Sequence, residues 1–113
     1  MPIPEFELAR VRHALDRFCD RVPAAIRSQL AYAYTIERNA VVLLERRPHF
    51  EDRSRHTEHR FAKFVYNARM GSWSLRWRDR NERWHGYEGF ESVPDFRDVL
   101  REVEDDPTHI FVG

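Results

Sequence analysis

The sequence predicts an α+β domain: two N-terminal helices and one C-terminal helix packed on an antiparallel sheet of about five strands, formed by a hairpin and a three-strand meander. Three observations predict it. Apolar residues recur at helical three- and four-residue steps near both ends of the chain, larger side chains alternate in the middle, and short polar breaks separate the alternating runs. With 113 residues, 42% of them hydrophobic, the chain has material for a single core, so residues 1–113 are read as one domain.

Leu8, Val11, Leu15 and Phe18 share one face of the first helix, and Arg10, Arg12, Asp16 and Arg17 lie between them. Val22-Pro23 ends it, and Pro23 suits the first position of a second short helix with Ile26 and Leu30 on one face. The period then changes. Tyr32, Tyr34 and Ile36 alternate through residues 31–37, and Arg38-Asn39 makes a tight turn into residues 41–45, which predicts a hairpin. Residues 46–60 are polar, carry Pro48 and three His, and have no period, so they are expected to form a long loop, functional or mobile.

The meander follows at residues 61–67, 73–79 and 83–87. In its middle strand Trp73, Leu75 and Trp77 point to one side and Ser74, Arg76 and Arg78 to the other, giving one core face and one cationic face. After Ser92 and Pro94, Phe96, Val99, Leu100 and Val103 mark the last helix. Glu104, Asp105 and Asp106 at its C-terminal end oppose the helix dipole, so a cationic neighbour is expected. Pro107 stops the helix, and residues 109–113 form an apolar end in which Phe111 plugs the core.

The formal net charge of +0 conceals a segregation along the chain. Residues 1–45 balance six Arg against six acids, residues 46–87 carry eleven basic side chains against five acids, and residues 88–113 carry two Arg against eight acids. Eighteen of the nineteen basic residues are arginine, which supplies planar, permanently charged donors, and Lys63 is the exception. The acidic last helix has the charge either to lie over the strand arginines and neutralise them or to pair with a second copy in a homodimer, and the sequence leaves the choice open.

No run approaches the roughly 20 apolar residues of a membrane span, and the start lacks a secretion pattern, so a cytoplasmic protein with no membrane attachment is expected. Cys19, the single cysteine, excludes an internal disulfide and reads as a small buried residue. There is no Gly-rich phosphate loop, paired-carboxylate motif or serine elbow, and no cofactor is expected.

Several strings carry a family resemblance: Phe18-Cys19 before Val22-Pro23, Glu45-Arg46-Arg47-Pro48, Ala62-Lys63-Phe64-Val65-Tyr66, the run from Trp73 through Asn81, Trp84-His85-Gly86-Tyr87-Glu88, and Asp105-Asp106-Pro107 with Ile110-Phe111 and a final Gly113. On these residues the chain resembles, over nearly its whole length, the bacterial domain of unknown function 3024 family (DUF3024). It departs at Val112, where a Trp would be expected. The resemblance implies a small intracellular bacterial protein and brings no activity with it.

Three readings of function follow. The first is a non-enzymatic binding module whose basic sheet face, Arg76, Arg78, Arg80 and Arg83 flanked by Trp84, His85 and Tyr87, meets an acidic protein, RNA or single-stranded DNA. A merely solvated outer face is the plainer alternative, and a pI near 7.0 is low for a nucleic-acid protein. The second is a small RelE-like ribonuclease, with His85, Tyr87 and Arg76 as catalytic candidates, because the order of helices and sheet is similar to that of such toxins. The third is a self-associating structural protein. A metal site is not expected: His56 and His59 are weak candidates in a loop without cysteine or helix signal.

Overall fold

A computed structural model describes residues 2–49, 51–108, 110 and 111. The first helix, α1 (Glu5–Cys19), carries Glu5 and Glu7 in its first turn and Arg17 in its last, the signs that complement its dipole. Val11 and Leu15 are fully buried on its inner stripe, and Leu8, Ala14 and Phe18 pack beside them. Five strands follow, β1 (Ala31–Glu37), β2 (Ala40–Pro48), β3 (His56–Asn67), β4 (Ser72–Arg78) and β5 (Trp84–Gly86), in one antiparallel sheet ordered as in the chain. The closing helix, α2 (Phe96–Asp105), starts at an N-cap, Asp95, whose side chain accepts from the Arg97 N–H. Among the described residues no helix is long and apolar enough to cross a membrane.

Among the described residues two α-helices form, one toward each end, where three helices were expected. Between Pro23 and β1 there is a single 3₁₀ turn, Ala24–Ile26. Seven residues separate Pro23 from the strand, too few to repay helix nucleation, and Ile26 is 43% exposed, so no buried face stabilises a longer helix.

The expected long loop at 46–60 is also mostly strand. β2 continues to Pro48, β3 begins at His56, and Arg46 pairs with Glu58, their side chains 2.8 Å apart. A short turn remains, closed by the His49 N–H on the Arg55 carbonyl and by Asp52, which accepts from the Ser54 N–H and hydroxyl. Residues 56–60 are exposed, so main-chain bonds hold this ribbon and no alternation of apolar residues marks it.

Both helices cover one face of the sheet. Tyr34 and Ile36 of β1, Val41 and Leu43 of β2, Phe64 and Tyr66 of β3, and Trp73 and Leu75 of β4 turn toward them. A bulge opposite Leu43/Leu44 makes Phe61 an extra residue, and it turns into the same core, with its ring 6.0 Å from Tyr32. Trp73, wholly buried, lies 4.9 Å from the Tyr66 ring and 5.0 Å from Phe96 of α2, and its indole N–H donates to the buried Glu7 carboxylate of α1 at 3.3 Å. Its main chain exchanges two hydrogen bonds with Val93. At the other end of α1, the Tyr34 hydroxyl donates to Asp16 at 2.7 Å, and burial together with that bond pushes the tyrosine up to about 12. Cys19 is half-buried and pushed up to about 11 by burial and by Asp16 and Asp20, which makes it an unreactive thiol.

Of the closing stretch 109–113, the described Ile110 and Phe111 do pack on the body; His109, Val112 and Gly113 lie outside the described residues. Asp106, left-handed at the helix end with φ 41°, accepts from the Phe111 N–H and holds that ring at the core.

Phe96 joins Trp73 and Phe64 to α2, so Phe96→Ala is expected to lower stability by about 3–5 kcal/mol in urea unfolding, whereas Arg76→Ala on the opposite face stays within about 0.5 kcal/mol. Equal effects of the two substitutions would contradict this division of the sheet.

Candidate functional site

Strand alternation sorts the expected site residues onto two faces. Trp77 points with Trp73 and Leu75 toward the helices, and its cross-strand partner His85 stacks on it with ring centroids 4.7 Å apart. Tyr87, whose N–H binds the Leu75 carbonyl, also packs against the core. Arg76 and Arg78 point the other way, and Trp84, opposite Arg78, goes with them. Arg80 and Arg83 are exposed in the turn from β4 to β5, outside either face.

The set expected to act as one patch is thus split by the thickness of the sheet. His85 and Tyr87 cannot share a phosphodiester with Arg76, because period-two projection sends residues one position apart to opposite sides. The tyrosine is further committed: its hydroxyl donates to Glu102 of α2 at 2.7 Å and its ring lies 5.2 Å from Phe111, an environment that raises its pKa through burial first and the Glu102 bond second. A shallow cleft of about 340 Å³ opens beside His85, Tyr87 and Ile110.

His85 has a partner the sequence reading missed. Its Nε2 lies 2.6 Å from Asp79 Oδ2, while Asp79 Oδ1 accepts from the Asn81 and Arg83 N–H groups and so closes the turn. These bonds, that of His85 foremost, hold the Asp79 carboxyl below the usual carboxylate range. The geometry is that of an Asx turn that fixes an imidazole against an indole.

On the outer face, cross-strand register lines up Thr35, Val42, Lys63, Arg76 and Gly86 across all five strands. Beside that row stands Trp84. Lys63 Nζ and the Arg78 guanidinium each lie 5.8 Å from its ring centroid, so two cations stand beside the indole. The Arg78 side chain is 16% exposed, its Nε is buried with no acceptor among the described residues, and its one anionic neighbour, Glu82, is 3.6 Å away and itself 78% exposed. Lys63 reaches Glu37 only at 3.9 Å. Gly86, with open space where a Cβ would be, leaves Arg76 uncovered on the β5 side. Arg60, opposite the buried Leu44, extends the same face. Sequence reading missed Lys63 and Arg60 because only the pairing register sets them beside Arg76 and Arg78.

The acidic helix does not mask these arginines. α2 packs by Phe96, Val99, Leu100 and Val103 on the far side of the sheet, and its acids find other partners among the described residues: Asp95 with Arg97, Asp98 with Arg101, Glu102 with Tyr87, Glu104 with Arg21. Arg21 is the cation expected near the acidic end of the helix, 3.0 Å from Glu104. His56 and His59 stand three apart on β3 and so project to opposite sides, and the described residues contain no group of three or more metal-ligating side chains.

A lowered carboxyl pKa in the folded state means that the stabilisation from Asp79 is complete above the ordinary carboxylate range near pH 4 and is lost as pH falls through the lower folded value. The difference in urea midpoint between the wild type and Asp79→Ala is therefore expected to close below about pH 4. A gap that persisted undiminished below about pH 3 would contradict the assigned bonds.

No curated protein and no solved structure matches the chain. The model of one family, described as a domain of unknown function (DUF3024), matches residues 3–113. The strings quoted from the sequence all fall within that span, and the chain belongs to the DUF3024 family.

Proposed function

We propose that the outer sheet face is a binding surface for single-stranded nucleic acid, with phosphates on Arg60, Lys63, Arg76 and Arg78 and a base against Trp84. The observation that carries this reading is the indole with two cations beside it, Lys63 and Arg78, whose ion-pair partners among the described residues are no nearer than 3.9 and 3.6 Å. A phosphate oxygen is the strongest common acceptor for a guanidinium. Aromatic rings beside cations on an exposed antiparallel sheet are the means by which such sheets hold unpaired bases and the backbone between them. A neutral chain is compatible with this role because its charges are sorted by face: five basic side chains, Arg46, Arg60, Lys63, Arg76 and Arg78, share the outer side with two acids, Glu37 and Glu58. His85 and Tyr87 lie outside this surface, and binding without cleavage is the activity it supports.

Fluorescence anisotropy with a labelled single-stranded RNA across a salt series tests the reading. Four phosphate contacts give a log–log salt slope of about −3 for a single strand, and Arg76→Gln with Arg78→Gln should roughly halve it. Trp84→Leu should cost about 1–3 kcal/mol, the value of one stacked base. Binding that is absent, or unaltered by Arg78→Gln and Trp84→Leu together, would refute the proposal; binding of an acidic peptide in preference to RNA would reassign the face to a protein partner.

A further inference from the structure

A second concavity lies elsewhere, on the helical side. It is a groove of about 740 Å³ between α1 and α2, within the size range of small-molecule sites. Arg10, His13 and Arg17 of α1, at helical steps of three and four, form one wall; Arg97 and Arg101 of α2, four apart, form the other. The chain is neutral over residues 1–45 and acidic over residues 88–113, so only the packing of the two helices creates a basic surface here.

Counting partners shows which cations are spare. Arg21 is matched by Glu104 at 3.0 Å, and Arg97 is matched by Asp95 through Nε and Nη2. Arg101 has only Asp98, at 3.7 Å. Arg10 and Arg17 have no ion-pair partner within 4.0 Å among the described residues. Phe96 and Leu100 in the floor are already sealed at 2% and 4% exposure and offer an apolar occupant little more area to cover. Arg10 and Arg17 are about 10 Å apart along the helix axis, a span one tetrahedral anion cannot bridge but a chain of phosphoryl groups can. Guanidinium forks on both walls suit that chain, because each can hold a phosphoryl group by two parallel hydrogen bonds.

We propose that the α1–α2 groove binds a small polyphosphate of nucleotide size, its phosphoryl groups held by Arg10, Arg17 and Arg101. The site lies on the opposite side of the sheet from Arg78 and Trp84 and does not depend on the function assigned to that face. The groove's internal anions are Glu104 and Asp95: Glu104 is matched by Arg21, while Asp95 ion-pairs with Arg97 and has Arg10 acting on its charge. Asp95 competes with an incoming phosphate.

Isothermal titration of the full chain with sodium tripolyphosphate and with ATP tests this. One saturable site is expected, with a Kd on the order of 10 μM at moderate salt. Arg10→Gln with Arg17→Gln should weaken it by about tenfold or more, since both spare forks are lost. Asp95→Asn keeps a good N-cap while removing the competing charge, and should tighten binding by roughly fivefold. Arg78→Gln should leave it unchanged. ATP tighter than tripolyphosphate would add a base contact to the site, and equal affinities would confine recognition to the phosphate chain; both support the proposal. No saturable binding up to about 1 mM, an affinity insensitive to Arg10→Gln with Arg17→Gln, or loss through Arg78→Gln instead would overturn it. So would binding of a polyglutamate peptide where tripolyphosphate fails, which would assign the groove to an acidic protein segment.

Discussion

The arrangement depends on Trp73. This one residue donates its indole N–H to Glu7 in α1, packs edge-on to Phe96 in α2, touches Tyr66 on β3, and bonds through its main chain to Val93 at the approach to α2. A domain of this size buries a modest fraction of its surface, so a large side chain that four segments share does much of the work of fixing both helices to one face. The carboxylate of Glu7 is tolerated in the core because the indole N–H satisfies it. Once the helices are committed to that side, the outer face keeps Ala40, Val42 and Leu44 sealed at 2–3% exposure, and its polar character is set by what alternation delivers: Lys63, Arg76, Arg78 and Trp84.

That geometry turns a chain with no net charge into a molecule with two separate basic surfaces. One is the outer sheet face, built by register across β3, β4 and β5. The other is the groove between the helices, built from arginines of segments that are neutral or acidic in sequence. The acids of α2 are distributed among Arg21, Arg97, Arg101 and Tyr87, so the segregation of charge along the chain does not become a masked strand face. The linear charge runs do not meet in space, because the sheet separates the strand arginines from the acidic helix by its own thickness.

Much of the fold was legible because its signals are periodic. The stripe Leu8, Val11, Leu15, Phe18, the stripe Phe96, Val99, Leu100, Val103, and the alternation Trp73, Leu75, Trp77 each report burial on one side, and each sits where it was expected. The ribbon around Arg46 and Glu58 gave no such signal, since neither side of it is buried and its strands are held by main-chain bonds. The helix expected after Pro23 had a favourable start but too few residues and nothing to cover. For the candidate site, Arg76 and Arg78 were read correctly as outward, but His85 and Tyr87 were grouped with them because parity along β5 relative to β4 is fixed by pairing, which one strand's sequence does not state. Lys63 and Asp79 were missed for the same reason: each acquires its partners across strands or around a turn.

The three tryptophans provide a direct reading of which face binds, since Trp73 is wholly buried, Trp77 lies under His85 on the helical side, and Trp84 stands beside Lys63 and Arg78 on the outer side. Their indole N–H resonances, followed in a ¹H–¹⁵N correlation spectrum during titration with a short single-stranded oligonucleotide, test the central claim. The Trp84 signal is expected to shift progressively while those of Trp73 and Trp77 stay in place. Movement of the Trp77 signal with Trp84 unaffected would place binding at the His85 cleft and contradict it.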